Sequence, residues 1–508
     1  MKMIYSKMKA LYSFQSLWFV LIFICIFFYL GFHNELFFGP KGIHFLRQTD
    51  GLSFASQYFN NNFDFFNPKL YNLKNIDARA SCEFPITYYI TSLLYGVFGK
   101  HPAILKLIHL FIIYVGIYYV FKLSNLILNH ALTSVLIALF LFTSTVFNYY
   151  SFNYLPDAPA LGFIFIGTYF MFKYLIENKN KSLIVGFLFF SLAGLIKITY
   201  SIYPIAFIVF ALISLLYKKR NLISVIQSKK ILFYGGISIL LILSWTIYML
   251  YYNSLYKSNS FNTRPLPIWG MSKSEILHVW DIMVNYWDSE YIAYPSLFII
   301  IFLFLLQLVF LKRSHPFLLI ITLISLIGFL CYFLLFYKQF KDHDYYMLVI
   351  FPIITFIIIN GAKVLFHILK NYNINFKRIA IFCFFLIVIY GIRYSGLQME
   401  RRFNLQPDTI SETGLKVESK ISKINRLNIP TDAKFLVAPD PTPNGSLLFL
   451  NKLGWNIENI NNFHLDTVLF YKNIGADYLL LYDQKNLIND SNVGKVIFNE
   501  DGVKIIKI

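Results

Sequence analysis

Charged residues are scarce in this chain: of its 508 residues, only 14% are Asp, Glu, Lys or Arg. Acidic residues are the scarcer kind, with 26 Asp and Glu against 45 Lys and Arg. Since soluble domains contain about 25% charged residues, this composition excludes an ordinary soluble globular protein. The sequence also lacks a Gly-rich phosphate loop, a Cys/His zinc spacing, an internal repeat and a low-complexity tract, so no nucleotide, zinc or repeat-protein motif supports a function.

Cysteine is rare as well, with four residues at Cys25, Cys82, Cys331 and Cys383. Only Cys82 falls outside an apolar segment. We therefore expect no intramolecular disulfide, and cysteine carries no argument about function.

Apolar residues are abundant instead, at 57% hydrophobic and 19% aromatic. Several runs reach the roughly 20 residues that a helix needs to cross a bilayer. The first run follows a basic start at Lys2, Lys7 and Lys9, but it is too long for a signal peptide and has no small-residue cleavage site, so we interpret it as a retained helix. The predicted membrane helices, eleven in all, are 12–32, 103–121, 131–149, 158–176, 182–202, 204–217, 231–252, 293–311, 317–337, 345–361 and 379–394.

The net charge of +19 belongs to the membrane part, because the residues after Tyr394 contain 13 basic and 13 acidic side chains. Cytoplasmic loops of membrane proteins are basic, so the charge does not call for a nucleic-acid partner. The compact basic clusters, among them Lys218-Lys219-Arg220, fall in loops on the side of the N-terminus. This predicts a cytoplasmic N-terminus, outer loops on the other side and, with an odd number of helices, a C-terminus outside.

Two domains follow from this pattern: a membrane domain 1–394, which includes a long outer loop 33–102, and a small extracytoplasmic α/β domain 395–508. Loops beyond about fifteen residues are usually functional or disordered, and "FASQYFNNNFDFF" and "EFPITYYITSLLYGVFG" in this one suit helices at the membrane interface. In the tail, "KFLVAPD", "ADYLLLYD", "KVIFNED" and "GVKIIKI" predict strands, and "LDTVLFYKNIG" predicts a helix. We expect the tail to shape acceptor access without supplying catalytic groups.

Three acidic residues stand at outer junctions of helix and loop: Asp50 in "RQTD", Glu83 in "CEFP" and Asp157 in "NYLPDAP". A positioned carboxylate can accept a proton from a hydroxyl group. Each also has a structural interpretation: Asp50 as a solvated loop residue, Glu83 as a cap for the helix that begins at Pro85, and Asp157 as an acid at a helix N-terminus.

The order and spacing of these motifs resemble the GT-C glycosyltransferases that use lipid-linked sugars. The similarity is to bacterial relatives of the protein O-mannosyltransferase and aminoarabinose transferase group, glycosyltransferase family 39. In that family an acidic residue in the first outer loop precedes an amphipathic helix, Glu-x-Pro with aromatic residues precedes the second helix, and Pro-Asp opens the fourth. Many relatives have a lysine directly after the glutamate, where this chain has Phe84, so the cation for the donor phosphate must come from elsewhere.

The resemblance implies an inverting transfer from a polyprenyl-phosphate sugar, of the undecaprenyl type, to a protein, lipid or glycan acceptor. Asp50 is the expected base, with Glu83 and Asp157 completing the catalytic group and a divalent metal as a further possibility. Such a reaction needs cations at the departing phosphate. Lys197 is a candidate because a cation in an apolar segment is costly and often functional, although it can also snorkel to the interface. The predicted phosphate partners are Arg47, Lys197, Arg264, Lys341 and His343.

The predicted location is a bacterial inner membrane, with membrane lipids around the helices. Two other functions remain open from sequence. A glycolipid transporter or flippase is the first, but transporters place polar residues in broken helices at mid-membrane, whereas the acids here crowd into outer loops. An inactive scaffold whose tail binds an envelope partner is the second.

Overall fold

The computed structural model describes residues 17–217, 222–261, 264–370, 374–404, 409–459, 463–482 and 493–508. A large helical part comes first in the chain, and a small domain with a five-stranded sheet follows it. The prediction of an α-helical polytopic membrane protein with a small C-terminal α/β domain is confirmed.

The helical part consists of long apolar helices joined by short turns and by two outer-loop helices. In chain order, its described α-helices of more than four residues are α1 Leu17–Tyr29, α2 Phe45–Asn60, α3 Ile86–Phe98, α4 Ala103–Leu128, α5 Ala131–Leu139, α6 Thr145–Ser151, α7 Asp157–Glu177, α8 Asn180–Ile196, α9 Ile202–Leu216, α10 Val225–Leu255, α11 Lys273–Ile282, α12 Tyr294–Val309, α13 Pro316–Leu335, α14 Phe351–Leu369 and α15 Ile374–Asn404. Helix α3 lies within the second predicted amphipathic stretch, 83–99, whereas α2 overlaps the first, 54–66, only over 54–60, because it begins at Phe45 and ends at Asn60.

Seven helices among the described residues are long and apolar enough to cross a membrane, or up to nine if each of two bent helix pairs forms one span. Ten of the eleven predicted segments each overlap one long helix, whereas the predicted helix 131–149 is divided into α5 and α6, which meet at a bend of 86°. The numbers differ because α1 and α8 are apolar but shorter than 18 residues. Residues 12–16 of the first predicted helix, the basic start at Lys2, Lys7 and Lys9, and the cluster Lys218-Lys219-Arg220 lie outside the described residues.

The boundary between the fifth and sixth predicted helices is wrong in position. We placed it before Pro204, but α8 ends at Ile196, Lys197 has extended backbone angles (φ −149°, ψ 106°), and α9 begins at Ile202. Pro204 lies in the first turn of α9, where the N–H group that proline lacks has no partner in the helix anyway. Lys197 therefore lies in the short segment between α8 and α9 and not inside a membrane helix.

The C-terminal domain packs helices on a mixed sheet. Its helices are α16 Thr409–Ile424, α17 Gly445–Leu450 and α18 Leu465–Asn473, and its strands are β1 Phe435–Ala438, β2 Gly454–Asn456, β3 Tyr478–Tyr482, β4 Lys495–Glu500 and β5 Val503–Lys507. The strand order is β2-β1-β3-β5-β4, with β1 parallel to both neighbours and β5 antiparallel to both of its own. All four predicted strands and α18 are present, whereas β2 was not predicted. The proposed boundary at 394/395 falls inside α15, which continues to Asn404.

The first outer loop and the C-terminal domain are in direct contact. The backbone N–H of Leu73 donates to the carbonyl of Gly454 (2.7 Å), and the N–H of Gly454 donates to the carbonyl of Tyr71 (3.1 Å). Beside them, the Asn72 side chain donates to Asn456 Oδ1 (2.6 Å). The loop thus pairs with the edge strand β2, so both lie on the same side of the membrane helices.

This contact predicts the outcome of cysteine labelling in a cysteine-free background. Single cysteines at the exposed positions Asn60 in the loop and Asn473 in the domain are expected to react together with a membrane-impermeant reagent in intact cells. A cysteine at exposed Asn180, at the opposite end of the helices, is the control and is expected to react only after permeabilisation. Labelling at Asn60 without labelling at Asn473 would contradict the shared side.

Candidate active site

Helix α2 carries Arg47 and Asp50 on one face, because residues three apart on a helix are neighbours. The helix starts after His44, whose backbone is left-handed (φ 61°), and Asp50 is 6% exposed. A Cβ at Gly51 would lie 2.8 Å from the carbonyl oxygen of Tyr154. Glycine at this position therefore allows α2 to pack closely against the chain ahead of α7, which holds Asp50 inside the protein.

Glu83 lies in the segment between the outer-loop helices and faces α2. Its carboxylate is paired with the Arg47 guanidinium and accepts a hydrogen bond from the Tyr88 hydroxyl (2.7 Å). The next residue, Phe84, donates its N–H to the carbonyl of Leu195 at the end of α8 (3.0 Å). The loop with Glu83 is thereby fixed to the point where the helix breaks.

The break at Lys197 also brings Asp157 into the same region. Lys197 Nζ lies 3.1 Å from Asp157 Oδ1, and Asp157 is 1% exposed at the start of α7. The same ammonium stands over the rings of Tyr345 and Tyr346, at 5.1 and 5.3 Å from their centres. The buried Asp157 carboxylate therefore compensates the charge of the Lys197 ammonium, and the two tyrosine rings pack against the same ammonium.

These groups border one cavity of about 440 Å³ between the outer loop, the end of α8 and the C-terminal domain. Of the residues predicted for the site, the lining includes Arg47, Asp50, Glu83, Lys197 and His343. Asp157 does not line the cavity itself, but it forms an ion pair with the lining residue Lys197. The predicted phosphate partners Arg264 and Lys341 are not among the described lining residues: Arg264 is exposed, and Lys341 lies 3.5 Å from Asp342.

The charge states in the cavity differ because burial and pairing act in opposite directions. Burial raises the pKa of the Asp50 carboxyl to about 6, against the opposing effects of Arg47 and a hydrogen bond from Asn444. Burial alone would also raise the pKa of Glu83, but the Arg47 charge and the Tyr88 hydroxyl outweigh it and hold this pKa below its usual value. Asp50 is consequently the carboxylate that exchanges a proton near neutral pH, while Glu83 stays ionised.

The pKa values of two basic lining residues, Arg47 and His343, shift in opposite directions. Burial alone would lower the pKa of the Arg47 guanidinium, yet the Glu83 carboxylate holds it well above the ordinary value. Burial, with the charges of His44 and Lys197, lowers the pKa of His343 to about 4, so its ring is neutral. Arg47 Nη1 is buried and has no hydrogen-bond partner, which leaves one NH₂ group of a permanent cation for an anionic ligand.

Metal binding has little support in the arrangement of side chains. In the ranges that the structure describes, no three His, Cys, Asp or Glu side chains are grouped as ligands for one ion. The Glu83 and Asp157 carboxylates are already used by Arg47 and Lys197.

Sequence reasoning missed Asn444, the lining residue that contacts Asp50, and a buried charge network next to the cavity. Asn444, from the C-terminal domain, donates from Nδ2 to Asp50 Oδ1 at 2.8 Å. We expected the tail to supply no catalytic group, and that expectation stays a prediction, but the tail does contribute a side chain to the wall of the cavity. No local pattern marks Asn444, because its partner lies far away in the chain.

The buried network surrounds Asp344, which is fully buried at the start of the 3₁₀ turn Asp344–Ile350 ahead of α14. Asp344 contacts His44 Nε2 (3.1 Å) and accepts hydrogen bonds from the Tyr150 hydroxyl (2.5 Å) and Arg402 Nη2 (2.7 Å). Arg402 is also paired with Glu290. The network fixes the residue before α2, and hence the helix with Arg47 and Asp50, to the end of α15.

Comparison with known proteins agrees with the resemblance seen in the motifs. The family model described as dolichyl-phosphate-mannose-protein mannosyltransferase matches residues 83–253. No curated protein matches the sequence.

Solved structures show that the likeness extends over the whole chain. The apo structure of ArnT from Cupriavidus metallidurans superimposes with a TM-score of 0.62 at 10% identity, covering 97% of this chain and 98% of that one. The same protein bound to undecaprenyl phosphate gives 0.58 at 11% identity, with 97% of each chain covered. The oligosaccharyltransferase of Archaeoglobus fulgidus gives 0.52 at 12% identity, covering 92% of this chain and 69% of that one. The chain is therefore a polytopic membrane protein with the GT-C glycosyltransferase fold.

Proposed function

We propose that this protein is a membrane glycosyltransferase that moves a sugar from a polyprenyl-phosphate carrier to an acceptor hydroxyl group outside the cytoplasm. The observation that carries the proposal is the convergence of Asp50, Arg47, Glu83 and Lys197 on one cavity where an outer-loop helix meets a break between membrane helices. The lipid tail of the carrier remains in the bilayer, so its phosphate lies at the membrane surface, where the outer-loop helix meets the membrane helices. The proposed location is a bacterial inner membrane, with the N-terminus in the cytoplasm.

The reaction is a displacement at the anomeric carbon of the sugar. The acceptor oxygen forms the new bond to this carbon, the bond from carbon to phosphate oxygen breaks, and its electron pair leaves with the polyprenyl phosphate. Asp50 takes the hydroxyl proton, a role for which a pKa near the working pH is suited. Attack from the side opposite to the phosphate inverts the configuration, as the family resemblance implies.

The cations stabilise the charge that develops on the phosphate. Arg47 contributes the unpaired Nη1, and Glu83 orients its guanidinium. Lys197 contributes its ammonium, which Asp157 positions. The neutral ring of His343 is placed to form a hydrogen bond rather than an ion pair. We assign no part in the transfer to Arg264 or Lys341, since neither lines the cavity.

The donor class is supported by the molecules named in two structural neighbours. ArnT from Cupriavidus metallidurans has been solved with undecaprenyl phosphate. AglB from Archaeoglobus fulgidus, at a TM-score of 0.50 and 10% identity, has been solved with a dolichol-phosphate and an inhibitory peptide. Both bound lipids are polyprenyl phosphates, and the partly buried cations Arg47 and Lys197 suit a phosphate group of this kind.

Membranes that contain the protein, incubated with radiolabelled polyprenyl-phosphate sugars, test this function. Label is expected to leave the lipid fraction and appear in an acceptor fraction, and to remain in the lipid when Asp50→Asn replaces the unchanged chain. A glycolipid transporter would instead move intact labelled lipid across the membrane. That result, or no release of label from any donor, would overturn the proposal.

Lys197 and Lys341 were both predicted from sequence as partners of the donor phosphate, but of the two only Lys197 lines the cavity. Substitution of Lys197 therefore tests the phosphate site specifically. Lys197→Gln is expected to weaken binding of the polyprenyl-phosphate donor by roughly 10- to 150-fold, which corresponds to the loss of about 1.5–3 kcal/mol from a hydrogen bond to a charged group. Lys341→Gln is the matched control and is expected to bind as the unchanged protein does. Equal losses in both variants, measured by titration with the donor, would contradict this assignment.

A further inference from the structure

The loop between β1 and α17 carries Asn444 to the floor of the cavity, where the residue is 1% exposed. Its Oδ1 accepts hydrogen bonds from the backbone N–H groups of Tyr71 and Asn72, both at 3.1 Å. Backbone N–H groups only donate, so the oxygen of the amide must face them. The Nδ2 group is thereby directed at Asp50 Oδ1, 2.8 Å away.

The loop that carries Asn444 is itself held tightly. The buried carboxylate of Asp440 accepts hydrogen bonds from the N–H (2.8 Å) and hydroxyl (2.6 Å) of Thr442, and from the N–H (3.2 Å) and hydroxyl of Ser446. A Cβ at Gly445 would lie 2.3 Å from the Thr442 hydroxyl oxygen and 3.0 Å from the ring of Phe45 on α2. Asn444 is therefore presented by a rigid turn packed against the helix of its partner.

The charged groups that face Asp50 come from two elements. Arg47 lies one turn earlier on α2, and Glu83 faces it from the segment ahead of α3, beside the neutral groups of Cys82 and Tyr88. Lys197 and His343 line the same cavity. Among the lining residues that the structure describes, the C-terminal domain contributes Pro443 and Asn444 and no charged group.

We propose that Asn444 is a positioning residue for the base, and that the C-terminal domain thereby completes the active site. The amide holds Oδ1 of the ionised Asp50, so the other carboxylate oxygen is turned to the acceptor hydroxyl. No hydrogen bond among the described residues engages that second oxygen. The inference rests on the proposed function only for the role of Asp50 as a base, because the coupling between Asn444 and Asp50 is testable without any substrate.

The coupling has a definite sign. A hydrogen bond donated to a carboxylate favours the ionised form and lowers its pKa. Asn444→Ala removes the donor, so the ionisation midpoint of Asp50 is expected to rise by about 1–2 pH units, as a hydrogen bond to a charged group implies. Asn444→Asp keeps the shape and the acceptor for Tyr71 and Asn72 but brings a second carboxylate to Asp50, so it is expected to raise the midpoint further.

Infrared titration of the full chain in nanodiscs measures this midpoint directly. The C=O band of the protonated Asp50 carboxyl is isolated by subtracting the spectrum of a matched protein that carries Asp50→Asn. Asn451→Ala is the control, because Asn451 accepts hydrogen bonds from Tyr71 and Lys100 across the same interface without touching Asp50. It is expected to leave the midpoint unchanged. If Asn444→Ala does not fold, Asn444→Asp carries the test.

The outcomes separate this inference from the proposed function. A midpoint that stays within about 0.3 pH units of the unchanged chain in both Asn444 variants, or that moves equally in Asn451→Ala, overturns the inference. In the transfer assay, the acid limb of the pH profile is expected to move with the infrared midpoint, whereas a purely structural role would lower the rate at every pH. An infrared shift in a chain that transfers no sugar overturns the function and leaves the coupling intact.

Discussion

The Asp50→Asn protein is expected to fold and to bind the lipid donor, but to transfer sugar about a hundred- to ten-thousand-fold more slowly, the usual loss when a positioned base is removed. The asparagine keeps the size of the side chain and can still accept the hydrogen bond from Asn444. It removes only the capacity to take a proton. Binding of the donor persists because Arg47 and Lys197 are unchanged.

The pH dependence of transfer provides a second readout for Asp50. The carboxyl has a pKa of about 6, so the unchanged chain is expected to lose rate as the pH falls through this value and the base becomes protonated. The residual rate of Asp50→Asn is expected to lack this limb. Asp64→Asn and Asp77→Asn are the controls, since both side chains are exposed in the same outer loop. Near-normal transfer by Asp50→Asn, with loss in either control, would show that a different carboxylate is the base.

The largest effect on stability is expected at Arg402. Its side chain is 2% exposed and its partner Asp344 is fully buried. Removing one partner of a buried ion pair leaves the other charge uncompensated and costs about 3–5 kcal/mol. Arg402→Met is therefore expected to lower the unfolding midpoint of the purified protein strongly, measured by thermal or denaturant unfolding in one detergent.

The neighbouring residue supplies a matched control for this prediction. Arg401 is exposed, so Arg401→Met is expected to change the free energy of unfolding by no more than about 0.5 kcal/mol. Adding Asp344→Asn to Arg402→Met removes the stranded charge and is expected to recover part of the loss. If both arginine variants unfold at the same midpoint, the buried network does not stabilise the fold.

Local patterns were sufficient for much of the fold and for part of the site. The apolar runs predict a helix in each of the eleven segments, and the alternation in the tail predicts four of the five strands. Asp50, Glu83 and Arg47 were recognisable because each stands in a short polar motif beside an apolar run. These signals are local, so a single sequence contains them.

The remaining features depend on tertiary contacts. The break at Lys197 was placed too late, because the polar stretch "KITYSIYP" leaves almost no loop between two apolar runs. Pro204 suggested the later position, since proline ends some helices and starts others. Arg402 has nothing in its neighbourhood to show that its partners are Asp344 and Glu290. Asn444 lies on a turn in the tail, and only the docking of the C-terminal domain brings it to Asp50.

The contact between Asp50 and Asn444 joins residues 394 positions apart, and this has a consequence for the order of events during synthesis. At about 5–20 residues per second, translation needs roughly 20–80 s between the two residues. Helix α2 is therefore made and delivered long before its partner exists. A nascent chain with all its membrane helices inserted still lacks Asn444 in the wall of the cavity, and the cavity is completed only when about the last fifth of the polypeptide has been made and has docked.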